Sequence, residues 1–192
     1  MAGRRTSPRI PREDGSELLI DSAISLARSI PIAKVTVRDI ASGAGLQTMH
    51  LKRYFGSRNE LLVAVSNRLM EHIVDSIADK PLDRIFALLQ ANKDVDLRLR
   101  IVSHLLDEGI PARTFSNDRQ VYLRIAERIA SVNNVGSHAA RTYALIIQTV
   151  LQGSRLMGDV NGMTPRERRD VFGLLVALGP QLASAEKALG WK

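Results

Sequence analysis

The chain has 192 residues, is 45% hydrophobic and carries a formal net charge of +7 at pH 7. It contains no cysteine, which excludes structural disulfides, thiolate zinc sites and cysteine redox sensing. No apolar run approaches the ~20 residues of a membrane span, and the start MAGRRTSPRIPR lacks the apolar stretch of a signal peptide, so a soluble cytoplasmic protein is expected.

Residues 1–15 are rich in Arg, Pro, Ser and Gly and read as a flexible basic arm. Its Arg4, Arg5, Arg9 and Arg12 suit either a DNA backbone or a solubilising tail. Ser16 is a candidate cap for a first helix over Glu17–Ser29, with Leu19, Ala23, Leu26, Ala27 and Ile30 on its inner stripe and Pro31 ending it. Thr36 then caps a short helix in which Val37, Ile40, Ala41 and Ala44 recur at helical spacing. Gly45 breaks the pattern, as a tight turn between two helices requires. A second short helix places Leu51, Tyr54 and Phe55 on one face and Gln47, Thr48, His50, Lys52 and Arg53 elsewhere. Ser57-Arg58-Asn59-Glu60 is a capping-box pattern opening a long helix with Leu62, Val65, Leu69, Ile73 and Ile77 on one stripe. The charge agrees with a nucleic-acid role for this region. Residues 1–60 hold ten bases and six acids, a net of +4, and the other 132 residues hold 17 bases and 14 acids, a net of +3.

Residues 17–66 resemble the TetR family of bacterial transcriptional regulators. The resemblance is carried by Thr36, Ile40, Ala41, Ala44, Gly45, Leu51, Tyr54, Phe55, Ser57 and Arg58, in register with the family pattern. Gln47 stands where that pattern usually has Ser or Thr, Lys52 where an aromatic is common, and Gly56 where Pro is frequent. The resemblance implies an all-α fold, with an N-terminal three-helix helix-turn-helix DNA-binding domain over 16–60 and a C-terminal helical ligand-binding and dimerisation domain over 61–192. The DNA-contacting candidates are Thr36, Gln47, Thr48, His50, Lys52, Arg53, Tyr54 and Arg58. Thr36 reads equally as a cap, and Tyr54 equally as a core aromatic.

Beyond Pro81 only helices are expected: Leu82–Gln90, Asp96–Leu106, Asn117–Val132, Ser137–Met157 and one capped by Thr164 and running to Leu178. The effector-lining candidates are Phe86, Leu89, His104, Tyr122, Gln148 and Gln152, together with Arg155. A mostly aliphatic lining with few polar groups favours an apolar or amphipathic molecule, and nearby Arg residues admit a carboxylate. The dimerisation candidates are Tyr143, Ile147, Val150 and Leu151 with Val171, Leu174, Leu175 and Leu178, because Ser137–Met157 is apolar on more than one face and needs a second partner. Each of these positions also reads as ordinary core or surface. His104 and His138 lack partners at ligand spacing, so no metal is expected, and no catalytic or nucleotide-binding motif calls for an enzyme or a cofactor. The partners implied are a double-stranded DNA operator, a second copy of the chain and a small effector, with no membrane. An architectural DNA binder without an effector, and a helical adaptor that has lost DNA binding, stay open as alternatives.

Overall fold

In the computed structural model, which describes residues 11–115 and 118–191, the chain is all helical among the described residues. Arg4, Arg5 and Arg9 lie outside them. Ten α-helices follow in order: α1 Arg12–Ser29, α2 Val37–Gly43, α3 Thr48–Phe55, α4 Arg58–Ile77, α5 Leu82–Ala91, α6 Lys93–Asp107, α7 Asp118–Asn133, α8 Ser137–Leu156, α9 Pro165–Leu178 and α10 Leu182–Leu189. No described helix is long and apolar enough to cross a membrane.

Two starts differ from the sequence expectation. Helix α1 begins at Arg12 rather than near Glu17, so residues 12–15 are helix rather than arm. Pro11 precedes the first turn, and Glu13 and Asp14 there oppose the helix dipole. Ser16 is not the cap; its hydroxyl donates back to the Glu13 carbonyl at 2.8 Å. Helix α6 begins at Lys93, three residues early, because the Asn92 side chain accepts the Asp94 N–H at 2.8 Å and serves as an N-cap.

The chain packs as two units. The first takes in residues 1–68 and 101–109, and the second 69–100 and 110–192. This division differs from the expected boundary after residue 60, since α4 and α6 each contribute to both units. In the first unit α1, α2 and α3 pack on one another around Leu19, Ala23, Ile40 and Leu51, with Leu61, Leu62 and Val65 of α4 and Ile101 and Leu105 of α6 also buried. Ser22 is buried there, and its hydroxyl donates to the Ile40 carbonyl at 2.8 Å, which ties α1 to α2. In the second unit α7 and α8 pack along each other, with α9 against α8. Its core forms two clusters. One joins Ile73, Ile77, Ile85, Leu89, Val95, Leu151 and Phe172. The other joins Phe86, Ala126, Ile129, Ala140, Tyr143, Ala144 and Ile147.

Thr164 caps α9 through both arms of a capping box: its hydroxyl accepts the Glu167 N–H at 3.2 Å, and its own N–H donates to the Glu167 carboxylate at 2.8 Å. The hydrogen bonds from the Thr164 backbone and hydroxyl hold the Glu167 carboxyl below its ordinary range.

Candidate nucleic-acid interface and apolar cleft

The turn between α2 and α3 is built by local chemistry. Thr36 caps α2: its hydroxyl accepts the Asp39 N–H at 3.2 Å and donates to the Asp39 carboxylate at 2.6 Å. The chain reverses at Gly45, whose φ of +66° is left-handed and suits a residue without Cβ. The N–H of Leu46 reaches back to the Ala41 carbonyl at 2.8 Å and closes the end of α2. A second left-handed glycine, Gly56 at φ +85°, ends α3. A Cβ there would also lie 2.5 Å from a Glu60 carboxylate oxygen, which the flexible Glu60 side chain would have to vacate. Ser57 then accepts the Glu60 N–H at 3.1 Å to start α4.

Helical geometry sorts the residues of α3 into two halves. At about 100° per residue, Thr48, Lys52, Met49 and Arg53 fall in that order within about 140° of arc. All four are exposed. The opposite half holds His50, Tyr54, Leu51 and Phe55, of which Leu51 is buried and the others half-buried. No acidic residue occurs between Asp39 and Glu60. The outward arc is therefore basic and hydroxyl-bearing, as a helix entering the major groove requires.

The eight residues expected at DNA do not share one environment. Thr48, Lys52 and Arg53 share the outward arc, and Gln47 is exposed just before it. His50 does not join them. Its Nδ1 accepts the Gln47 N–H at 3.3 Å, and its ring stacks on Tyr54 at a centroid separation of 5.8 Å. Thr36 is exposed, but its hydroxyl proton is directed to Asp39. Tyr54 packs its ring toward α1, where Gly15 leaves room for it: a Cβ on Gly15 would lie 2.7 Å from the ring.

Arg58 turns inward. Its Nε donates to the Val35 carbonyl at 2.7 Å, one terminal nitrogen donates to the Ile32 carbonyl, and the other to His104 Nε2 at 3.2 Å. The guanidinium is always a donor, so His104 Nε2 is the acceptor. These contacts hold the 3-10 turn Ile32–Lys34 that leads into α2. Arg58→Met should therefore cost about 2 kcal/mol of stability by denaturant unfolding. Arg58→Lys should recover only part of this loss, since an ammonium cannot reproduce the guanidinium fork.

The second unit contains an apolar cleft lined by Met70 and Ile73 of α4, Phe86 and Leu89 of α5, Val95, Arg98 and Leu99 of α6, Tyr122 and Ile125 of α7, and Ala144, Ile147, Gln148, Leu151 and Gln152 of α8. Five of the six expected lining residues are among them. The sixth, His104, is not; it faces Arg58 in the first unit. Arg98, one of the Arg residues between Arg98 and Arg128 expected to admit a carboxylate, is the one charged side chain among the described residues of this lining and is 6% exposed. The Tyr122 hydroxyl donates to the Arg141 carbonyl at 2.9 Å, so it presents its ring and a spoken-for hydroxyl. Arg155, the other cationic candidate, does not line the cleft. It pairs with Asp96 and donates to the Leu89 and Gln90 carbonyls at 2.5 and 2.7 Å. Desolvation first, and then the neighbouring Arg168 charge, lower its pKa.

The expected dimerisation residues also divide. Tyr143, Ile147 and Leu151 are buried within the protomer, and Ile147 and Leu151 line the cleft. The Tyr143 hydroxyl donates to the Leu175 carbonyl, and burial pushes its pKa up. Val150, Val171 and Leu175 are half-buried. Only Leu174 and Leu178 are exposed. The exposed apolar side chains of α8 are instead Leu145, Ile146 and Leu156, followed by Met157 at its end. Among the described residues no group of three or more His, Cys, Asp or Glu could hold a metal ion. His138 packs edge-on against Trp191.

Residues 19–65 match the family model of the bacterial regulatory proteins of the tetR family. The nucleoid occlusion factor SlmA of Escherichia coli O1:K1 / APEC is 29% identical over 106 residues, 55% of this chain and 48% of that protein. The match thus spans about half the length of such curated relatives. A transcriptional regulator from Rhodococcus sp. Rha1 superposes with a TM-score of 0.64 at 14% identity, covering 90% of this chain and 97% of that one. A tetR-family transcriptional regulator from Streptomyces coelicolor gives 0.64 at 20% identity, covering 94% and 88%. Residues 19–65 are thus a tetR-family DNA-binding domain, carried by a chain with the all-α fold of tetR-family regulators.

Proposed function

We propose that this chain is a ligand-responsive transcriptional repressor that binds a palindromic operator as a homodimer and is released by a small apolar or amphipathic molecule. The observation that carries this reading is the double membership of α4 and α6. Met70 and Ile73 of α4 and Val95, Arg98 and Leu99 of α6 line the cleft. The same two helices supply Arg58 and His104, which hold the turn leading into α2. A molecule that prefers one arrangement of these helices would bias the helix-turn-helix through continuous backbone, which is what a change in DNA affinity needs. The cleft lining suggests an apolar body whose polar end meets Arg98, Gln148 and Gln152.

The test is a thermal-shift screen of apolar, amphipathic and polar metabolites, followed by operator titration. A compound at a hundredfold excess over its Kd should add ~2.7 kcal/mol of stability. It should also weaken operator binding, because coupling between two ligands is reciprocal. If the hits were highly polar, or left operator affinity unchanged, the effector assignment would fail. The similarity to a nucleoid occlusion factor favours a second reading, a DNA binder that needs no effector. It predicts operator binding with no stabilising hit.

A further inference from the structure

We infer that Met49 is a specificity determinant that reads the 5-methyl group of a thymine in each operator half-site. The inference rests on the DNA-binding role proposed above and adds to it a base and the atom that is read.

A single exposed apolar residue ordinarily needs no explanation. Met49 differs by its position. It is 63% exposed and belongs to the first turn of α3, whose N-terminal residues would meet base edges. On the helical projection it lies inside the outward arc, between Lys52 and Arg53. Every other residue of that arc is polar: Thr48, Lys52 and Arg53. A thioether set among cations neither accepts strongly from the basic side chains nor pairs with phosphate, so it gives this face nothing electrostatic. The major groove, however, has one apolar feature among its base edges, the thymine methyl. An unbranched, polarisable side chain with three rotatable bonds adapts to such a target without a preformed pocket. The neighbouring His50 does not compete for this role, because its Nδ1 accepts the Gln47 N–H and its ring stacks on Tyr54.

The probe is a duplex carrying the palindrome that the full-length chain selects from a random DNA pool. A second duplex replaces one thymine pair at a time by deoxyuridine, which removes only the methyl. The wild-type chain should lose about fourfold in affinity per half-site at one symmetric position, the value of one buried methyl-sized group. Met49→Ala should bind the thymine and uracil duplexes equally, and Met49→Leu should keep most of the discrimination. Because Met49 is exposed, its variants should melt as wild type does, which separates readout from folding. Unchanged wild-type affinity for every uracil duplex would overturn the inference. So would a Met49→Ala variant that discriminates as well as wild type. Failure to select any sequence, with Lys52→Ala and Arg53→Ala also without effect on DNA binding, would instead defeat the DNA-binding reading itself. A selected palindrome that is sensitive to Lys52 and Arg53 but indifferent to thymine methyls would defeat the role of Met49 alone.

Discussion

The Lys52→Ala/Arg53→Ala double variant should bind the selected operator on the order of a hundredfold more weakly per half-site, since each base-contacting cation contributes ~1–3 kcal/mol of discrimination. Both side chains are exposed on the outward arc of α3, so the thermal midpoint should hardly move. Fluorescence anisotropy at several salt concentrations separates their two possible roles. A phosphate contact releases counterions, so its loss should flatten the slope of log affinity against log salt by about one per contact. Loss of a base contact should leave the slope unchanged but relax the sequence preference. A double variant with wild-type affinity and wild-type preference would remove α3 as the recognition helix.

The second large effect concerns association. Leu174, at 62% exposure, and Leu178 on α9, with Leu145, Ile146 and Leu156 on α8, give the last two long helices exposed apolar side chains. A closed two-fold dimer would bury this surface against its own copy, and one substitution then appears twice in the interface. Ile146→Asp or Leu174→Asp would put an unpaired charge into such a contact, at a cost of several kcal/mol. The dimer dissociation constant should rise roughly a thousandfold. Light scattering should show folded monomers, and operator affinity should fall because one recognition helix cannot span both half-sites. Ile147→Asp serves as the contrast. Ile147 is 5% exposed in the protomer core, so that variant should lose folding rather than only association. Wild-type monomers at working concentration, or dimers of both surface variants, would refute the assignment.

Much of the helical frame was legible in the sequence because its signals are local. Thr36, Ser57 and Thr164 each accept an N–H three residues on, and Gly45 needs no neighbour beyond its own turn. Helix starts set by less typical partners were missed for the same reason. Pro11 precedes α1 without a side-chain cap, and Asn92 supplies the cap of α6. Part of the cleft lining was also legible, since Phe86, Leu89, Tyr122, Gln148 and Gln152, five of its fourteen residues, lie on or beside apolar helix faces.

Tertiary structure decided which way the long side chains point. Arg58 reads as a phosphate contact at a helix start, yet it finds carbonyls 23 and 26 positions earlier and His104 46 positions later. No spacing rule connects such positions. Helix α8 shows the same limit for apolar residues. Its sequence is apolar on more than one face, so periodicity alone could not choose between Ile147 with Leu151 and Ile146 with Leu145 for the interior. Packing among α5, α7, α8 and α9 made that choice, burying the first pair and exposing the second. The sequence by itself determined the order of the main helices and that one short helix carries a basic face, because capping and periodicity act within a few residues. Which faces are buried and which are exposed was decided only by packing, because burial is shared among segments far apart in the chain.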